Sequence, residues 1–145
     1  MLKGIDSIIS PELLKILMEM GHSDEIVIAD GNFPGASHAK RLIRADGHGV
    51  PALLDAVLKL FPFDTYVDAP VTLMEVVKGD TVVPTIWEEY KTIVEKYEPN
   101  AKLENIERFA YYERAKNAYA VVMTGESALY ANIILKKGVV ILFLL

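Results

Sequence analysis

Ile26-Val27-Ile28-Ala29-Asp30 is a run of four apolar residues, three of them β-branched, closed by a carboxylate. β-branched side chains favour extended backbone, and the lack of polar alternation marks a strand covered on both faces, as inside a sheet flanked by helices. Just upstream, Ser10-Pro11-Glu12 opens a helix, with Ser as N-cap and Pro at the first helical position. Leu13, Leu14, Leu17 and Met18 fall on its inward side, while Glu12, Lys15 and Glu19 share a polar face. Gly21 stands where a left-handed C-terminal cap belongs. Just downstream, Gly31-Asn32-Phe33-Pro34-Gly35 carries loop punctuation. A capped helix, a buried strand and a loop opening at a carboxylate describe an α/β protein with a candidate site at a strand end.

The same alternation continues along the chain. Residues 42–45 form a short strand before Asp46-Gly47-His48-Gly49, and Pro51 starts a helix to about Leu60 with Leu53, Leu54, Val57 and Leu58 inward. Residues 71–77 read as a strand. Pro84 starts a further helix, in which Ile86, Tyr90 and Ile93 recur at helical steps and which ends before Pro99. Residues 109–117 form another, with Glu113 and Lys116 spaced to pair on its exposed side. The last third is strand-rich, at residues 119–124, 131–135 and 139–145. No repeat, low-complexity segment or linker divides the chain. The expectation is one compact α/β domain over residues 1–145, with helices layered on a mostly parallel or mixed sheet.

Composition narrows the function classes. At 145 residues one ordinary core is expected, yet 52% of residues are hydrophobic and the mean hydropathy is +0.25, high for a small soluble domain. Part of that excess is expected to cover a contact between subunits. A net charge of −5 argues against nucleic acid as a partner, because polyanion binding needs a clustered positive face. No cysteine is present, which excludes disulfides and thiolate metal sites. The beginning of the chain lacks a signal-peptide pattern, and no apolar run approaches the ~20 residues that span a bilayer. A cytoplasmic protein without a membrane segment is expected.

Familiar catalytic motifs are missing. There is no Walker A sequence, Gly47-His48-Gly49 lacks the third glycine of a dinucleotide fingerprint, and Ser127 lacks the flanking glycines of a nucleophile elbow. His22, Asp24 and Asp30 match no recognised metal-ligand spacing, so no metal is expected. What stands out is a set of polar residues at the ends of apolar strands. Asp30 is placed either to bind a ligand beyond a strand's carboxyl end or to cap a turn. His22 is either functional or a surface residue meeting the last carbonyls of a helix. Tyr130 and Asn132, at period two, share a strand face and suit either sugar hydroxyls or a sheet edge. Arg108 opens a segment where aromatics interleave with guanidinium groups, or simply starts a helix with Phe109 and Tyr112 in the core.

Taken together these segments resemble a family. Ser10-Pro-Glu-Leu-Leu-Lys15, Met20-Gly-His-Ser-Asp-Glu-Ile-Val-Ile-Ala-Asp30, Asn32-Phe-Pro34 and Ile43-Arg-Ala-Asp-Gly47 are similar to the ribose pyranase and fucose mutarotase family. So are Glu107-Arg-Phe-Ala-Tyr-Tyr-Glu-Arg-Ala-Lys116, Thr124-Gly-Glu126 and Tyr130-Ala-Asn-Ile-Ile-Leu-Lys-Lys-Gly138, in the same order from residue 1 to about 138. The segments 43–47 and 109–116 resemble its fucose branch. The resemblance implies interconversion of the α and β anomers of a free sugar, L-fucose first, with D-ribose or another monosaccharide as alternatives and a non-catalytic sugar-binding module as the competing class. It implies His22 as the catalytic histidine, Asp30, Arg108, Tyr130 and Asn132 as sugar-binding residues, no cofactor, and a homo-oligomer, either a ring or another assembly. Histidine suits such chemistry, since an imidazole ordinarily exchanges protons near neutral pH. His38 inherits no role, and residues 139–145 are longer and more apolar than the family pattern. One geometric difficulty is built in: at about 3.3 Å per residue, an extended segment 25–29 separates His22 from Asp30 by most of a strand's length. Either the loops curl inward or a neighbouring subunit completes the site.

Overall fold

The computed structural model describes residues 1–142. Its elements follow in the order α1 (Pro11–Glu19), β1 (Glu25–Ala29), α2 (Gly35–His38), β2 (Leu42–Ala45), α3 (Val50–Leu58), β3 (Val71–Met74), α4 (Ile86–Tyr97), β4 (Leu103–Ile106), α5 (Arg108–Asn117), β5 (Ala120–Thr124) and β6 (Ile133–Lys136). The six strands form one mixed sheet in the order β2-β5-β1-β6-β3-β4. β2, β5 and β1 are parallel to one another, as are β3 and β4, and β6 joins the two sets by running antiparallel to both β1 and β3.

The apolar run that announced the fold lies at the centre of the sheet. Ile26, Val27, Ile28 and Ala29 are fully buried, and their side chains divide between two cores, as period two requires. Ile26 and Ile28 join Leu13, Leu53, Leu54, Tyr90 and Val94 beneath α1, α3 and α4. Val27 and Ala29 join Phe33, Tyr111, Ala115 and Val121 on the face covered by α5. Helices on both faces are what allow strands with no polar alternation.

Local chemistry decides the element ends. Ser10 caps α1 by accepting from Leu13 N–H at 3.1 Å, an arrangement worth about 1 kcal/mol. The expected glycine cap does not form: α1 leaves through extended Met20, and the left-handed residue is Ser23, at φ 72°. Gly21 instead donates its N–H to the Asp24 carboxylate at 2.7 Å. Met18, expected inward, is exposed, because nine residues of helix bury only the stripe of Leu13, Ile16 and Leu17. α4 starts two residues after Pro84, and Phe109 of α5 is exposed while Tyr111 takes the core position. Glu113 and Lys116 do pair, at 2.9 Å.

Two elements escaped the sequence reading. α2 is a single turn inside what reads as loop, and β4 alternates weakly because its Glu104 joins a polar network rather than the core. In that network Arg114 of α5 holds Glu25 at 2.7 Å and Glu104 at 3.0 Å, and Thr72 donates to Glu104 at 3.0 Å. β3 stops at Met74 rather than Val77, and β6 starts at Ile133 rather than Ala131. Residues 139–141 follow no strand, and residues 143–145 of the expected last strand lie outside the described residues.

Candidate active site

Register brings one rim of the sheet together. β1 ends at Ala29, β3 at Met74 and β4 at Ile106, all pointing the same way. Because β6 runs against them, its beginning reaches the same rim, with Ile133 opposite both Ile28 and Leu73. Asp30, Arg108, Tyr130 and Asn132 therefore meet, where open α/β sheets hold ligands. They line a cleft of about 240 Å³ together with Asn32, Phe33, Met74, Val77, Asp80, Tyr112 and Leu129. Drug-sized ligands occupy roughly 300–1,000 Å³, so a single small polar ring suits this volume.

Asp30 is 5% exposed and is held from three sides. Its N–H donates to Asn132 Oδ1 at 2.8 Å, and its carboxylate accepts from Asn32 N–H at 3.0 Å and from Ala131 N–H at 3.4 Å. Burial pushes its carboxyl above the usual 3.8, with the charge of Glu126 adding to the rise and the backbone N–H donors offsetting part of it. Asn132 spends its carbonyl oxygen on Asp30 and keeps its amide nitrogen for another partner.

Tyr130 and Asn132 share the cleft for a reason other than strand alternation. Both precede β6, and Tyr130 adopts left-handed backbone at φ 56°, a conformation that costs a residue other than glycine about 1–3 kcal/mol. α4 holds the turn in place. Trp87 Nε1–H donates to the Tyr130 carbonyl at 2.8 Å, and the buried Tyr90 hydroxyl donates to the Ala131 carbonyl at 2.6 Å. The Tyr130 hydroxyl itself donates to Asp80 Oδ2 at 2.6 Å and accepts from Val77 N–H at 3.2 Å.

Arg108 opens α5. Its Nε is buried with no hydrogen-bond partner among the described residues, and its guanidinium lies 4.6 Å from the Phe109 ring centroid. A buried guanidinium N–H without a partner costs free energy, so a ligand oxygen there is favoured. Tyr112 is fixed edge-on among Phe33 at 5.7 Å, His38 at 5.4 Å and Phe109 at 6.3 Å, forming an apolar wall with Met74 and Leu129. His38 thus buttresses this wall, a role sequence reading did not assign.

His22 is not in this cleft. It precedes β1, at the opposite rim, and five residues of strand at about 3.3 Å each intervene. There its Nε2 lies 3.1 Å from Asp64 Oδ1, and its ring is tilted against Tyr66 at 5.2 Å. Asp64 is buried. Burial alone would raise its carboxyl, but Tyr66 N–H, donating at 2.9 Å, and His22 together bring it below the usual range. The bond to Asp64 occupies Nε2 and leaves Nδ1 as the free ring nitrogen. Asp64 arrives beside His22 because Phe63 bridges Lys137 at the end of β6, a close approach that a side chain at Gly138 would block.

Sequence reading also missed Asp80 and Asp64. The turn Lys78-Gly79-Asp80 after a strand was a usable signal for the first, hidden by extending β3 to residue 77. Among the described residues no group of three or more His, Asp or Glu is placed to hold a metal ion, and no helix is long and apolar enough to cross a membrane.

An α/β domain with a polar cleft at the strand ends and a histidine–aspartate pair at the other rim is the class defined by this geometry. Comparison with known proteins makes the family explicit: residues 3–140 match the RbsD / FucU transport protein family, and the chain belongs to it. It is 55% identical over 140 residues to the L-fucose mutarotase of Actinobacillus pleuropneumoniae, covering 96% of this chain and 97% of that protein. It is 52% identical over 147 residues to the fucose mutarotase of Homo sapiens, covering 97% and 96%. Among solved structures, it matches the fucose mutarotase of Streptococcus pneumoniae in complex with L-fucose, at TM-score 0.92 and 53% identity over 97% of this chain and all of that one.

Proposed function

We propose that this protein is an L-fucose mutarotase, an isomerase that interconverts the α and β anomers of the free sugar. The observation that carries the proposal is the match over nearly the whole chain, at 53% identity, to a fucose mutarotase solved with L-fucose bound. The cleft at the strand ends supports it chemically.

Anomer exchange requires loss of the proton on the anomeric hydroxyl and gain of a proton by the ring oxygen. The ring opens to the aldehyde, the first carbon–carbon bond rotates, and the reverse transfers close the ring on the other face. Nothing is oxidised, transferred or hydrolysed. In the proposed arrangement Asp30 accepts from a sugar hydroxyl, Arg108 and the Asn132 amide donate to sugar oxygens, and Tyr130 meets a further hydroxyl. Tyr112 and its neighbours cover the apolar face of the ring. His22 relays the proton, with Asp64 orienting its ring as carboxylates orient imidazoles in other acid–base sites.

Since one strand's length separates His22 from the cleft, the relay requires the His22 rim of one copy to face the cleft of another. A cytoplasmic homo-oligomer is therefore part of the proposal. Exposed apolar side chains at both rims, Tyr66 and Val67 beside His22 and Phe109 and Leu129 beside the cleft, support such a contact. The same remoteness of His22 within one chain favours a second reading, a sugar-binding module without catalysis.

Two-dimensional exchange NMR on L-fucose at anomeric equilibrium separates the two. The wild type is expected to build cross-peaks between anomers well above the spontaneous rate, and His22→Ala to lower that enhancement about 10²- to 10⁴-fold. Equal cross-peaks with both proteins would remove His22 from the mechanism. Spontaneous exchange with the wild type, across a panel of pentoses and hexoses, would leave only the binding module.

A further inference from the structure

Tyr130 enters the cleft with its hydroxyl already committed. A phenol has one proton and two lone pairs. The proton goes to Asp80 Oδ2 at 2.6 Å, within the range of charge-assisted bonds, and one lone pair takes Val77 N–H at 3.2 Å. One lone pair remains.

Asp80 is held as firmly as the phenol that it receives. Gly79, before it, turns the loop at φ +91°, and Val82 N–H donates to Asp80 Oδ1 at 3.1 Å. The Tyr130 hydroxyl first, and then Val82 N–H, keep the Asp80 carboxyl below its usual range, so it is ionised and accepts only at neutral pH. Both of its oxygens are thereby occupied, one by Val82 and one by Tyr130.

We propose that Asp80 is a positioning residue that sets the hydrogen-bond polarity of Tyr130: it takes the phenolic proton, so the sugar hydroxyl that meets Tyr130 has to be a donor. The proposal rests on the cleft being the monosaccharide site, and it assigns to Asp80 a part in specificity without contact to the reacting atoms. Fluorine accepts weakly and cannot donate. At the position facing Tyr130, a deoxyfluoro sugar is therefore rejected as strongly as the deoxy sugar.

Asp80→Asn reverses this polarity. The carboxamide has a single oxygen, which Val82 N–H retains, so its NH₂ faces the phenol and the Tyr130 proton swings into the cleft. Asp80→Ala frees the proton without supplying a donor.

The test is calorimetric titration of L-fucose and its monodeoxy and monodeoxyfluoro derivatives into wild type, Asp80→Asn, Asp80→Ala and Tyr130→Phe. In the wild type, one ring position is expected to lose about tenfold in affinity for the deoxy and fluoro sugars alike. Tyr130→Phe removes that penalty at the same position, and in Asp80→Asn the fluoro sugar binds more tightly than the deoxy sugar. A ligand-free arm follows Tyr130 by NMR of ¹³Cζ-tyrosine, where loss of the Asp80 carboxylate shifts its titration to lower pH. A Tyr130 titration that stays in place, or fluorine discrimination unchanged by Asp80→Asn while fucose still binds, overturns the proposal. If the wild type binds no sugar, the site assignment fails, and the NMR arm alone decides whether Asp80 holds the Tyr130 proton.

Discussion

Asp30 is a buried carboxylate whose charged form burial disfavours. Burial raises its carboxyl above the usual value, so the folded chain holds that proton more tightly than the unfolded chain does. In the window from the usual 3.8 up through the raised value, folding takes up a proton, and stability from this group falls as pH rises. Chemical denaturation of Asp30→Asn and wild type at a series of pH values from the usual 3.8 upward is therefore expected to show the variant gaining on the wild type as pH rises. A pH-independent difference would show that Asp30 titrates alike in both states. Asp30 was legible in the sequence as a carboxylate directly after a buried apolar strand, a pattern that fits a strand-end ligand site and a turn cap alike. Asp64 was not, because its partner His22 is 42 residues away in sequence and the two meet only through the pairing of residues 62–64 with the end of β6.

At the scale of elements, the cleft depends on a helix that contributes no lining residue to it. α4 supplies Trp87 and Tyr90, and these hold the Tyr130 and Ala131 carbonyls so that a strained turn keeps one shape. Tyr90→Phe leaves the Ala131 carbonyl without its donor in a dry setting, at a cost of about 1–3 kcal/mol in thermal or chemical unfolding. Sugar affinity is expected to fall as well, because Ala131 N–H is one of the donors to Asp30. Unchanged unfolding in Tyr90→Phe would mean that the turn holds itself. The four longer helices and the central strands were readable from N-terminal Ser and Pro signals and from apolar periodicity, whereas the single turn of α2 was not. The turn at 130–132 was not: Tyr, Ala and Asn before Ile133 mimic strand alternation, and the contacts that hold left-handed backbone at a tyrosine come from α4 and from Val77 and Asp80, some forty to fifty residues away.

The whole molecule presents two polar rims, one bearing the cleft and the other His22 with Asp64. Under the proposed mechanism each copy is incomplete alone. Mixing His22→Ala with Asp30→Asn under conditions that exchange subunits is expected to restore anomer exchange, since the intact cleft of the first meets the intact histidine of the second. No recovery, with mixed oligomers demonstrated, would sink the shared site. The fold class and the strand-end position of Asp30 followed from the sequence pattern, whereas the grouping of Arg108, Tyr130 and Asn132 with it came from the family resemblance. The remoteness of His22 also followed, from nothing more than strand length. What no single chain's pattern reveals is which surface faces which between copies.

The placement of β6 has a bearing on how the chain is made. It pairs with β1 on one side and β3 on the other, yet it follows every other strand in sequence. During synthesis the blocks β2-β5-β1 and β3-β4 can each form, but they share no hydrogen bonds until residues 133–136 leave the ribosome, and until then two inner edges stand open to pairing with other chains. β6 closes the gap between those blocks, so a nascent chain stalled at Thr124 carries most of the protein's apolar residues but lacks Leu129, Tyr130 and Asn132, the part of the cleft that β6 anchors.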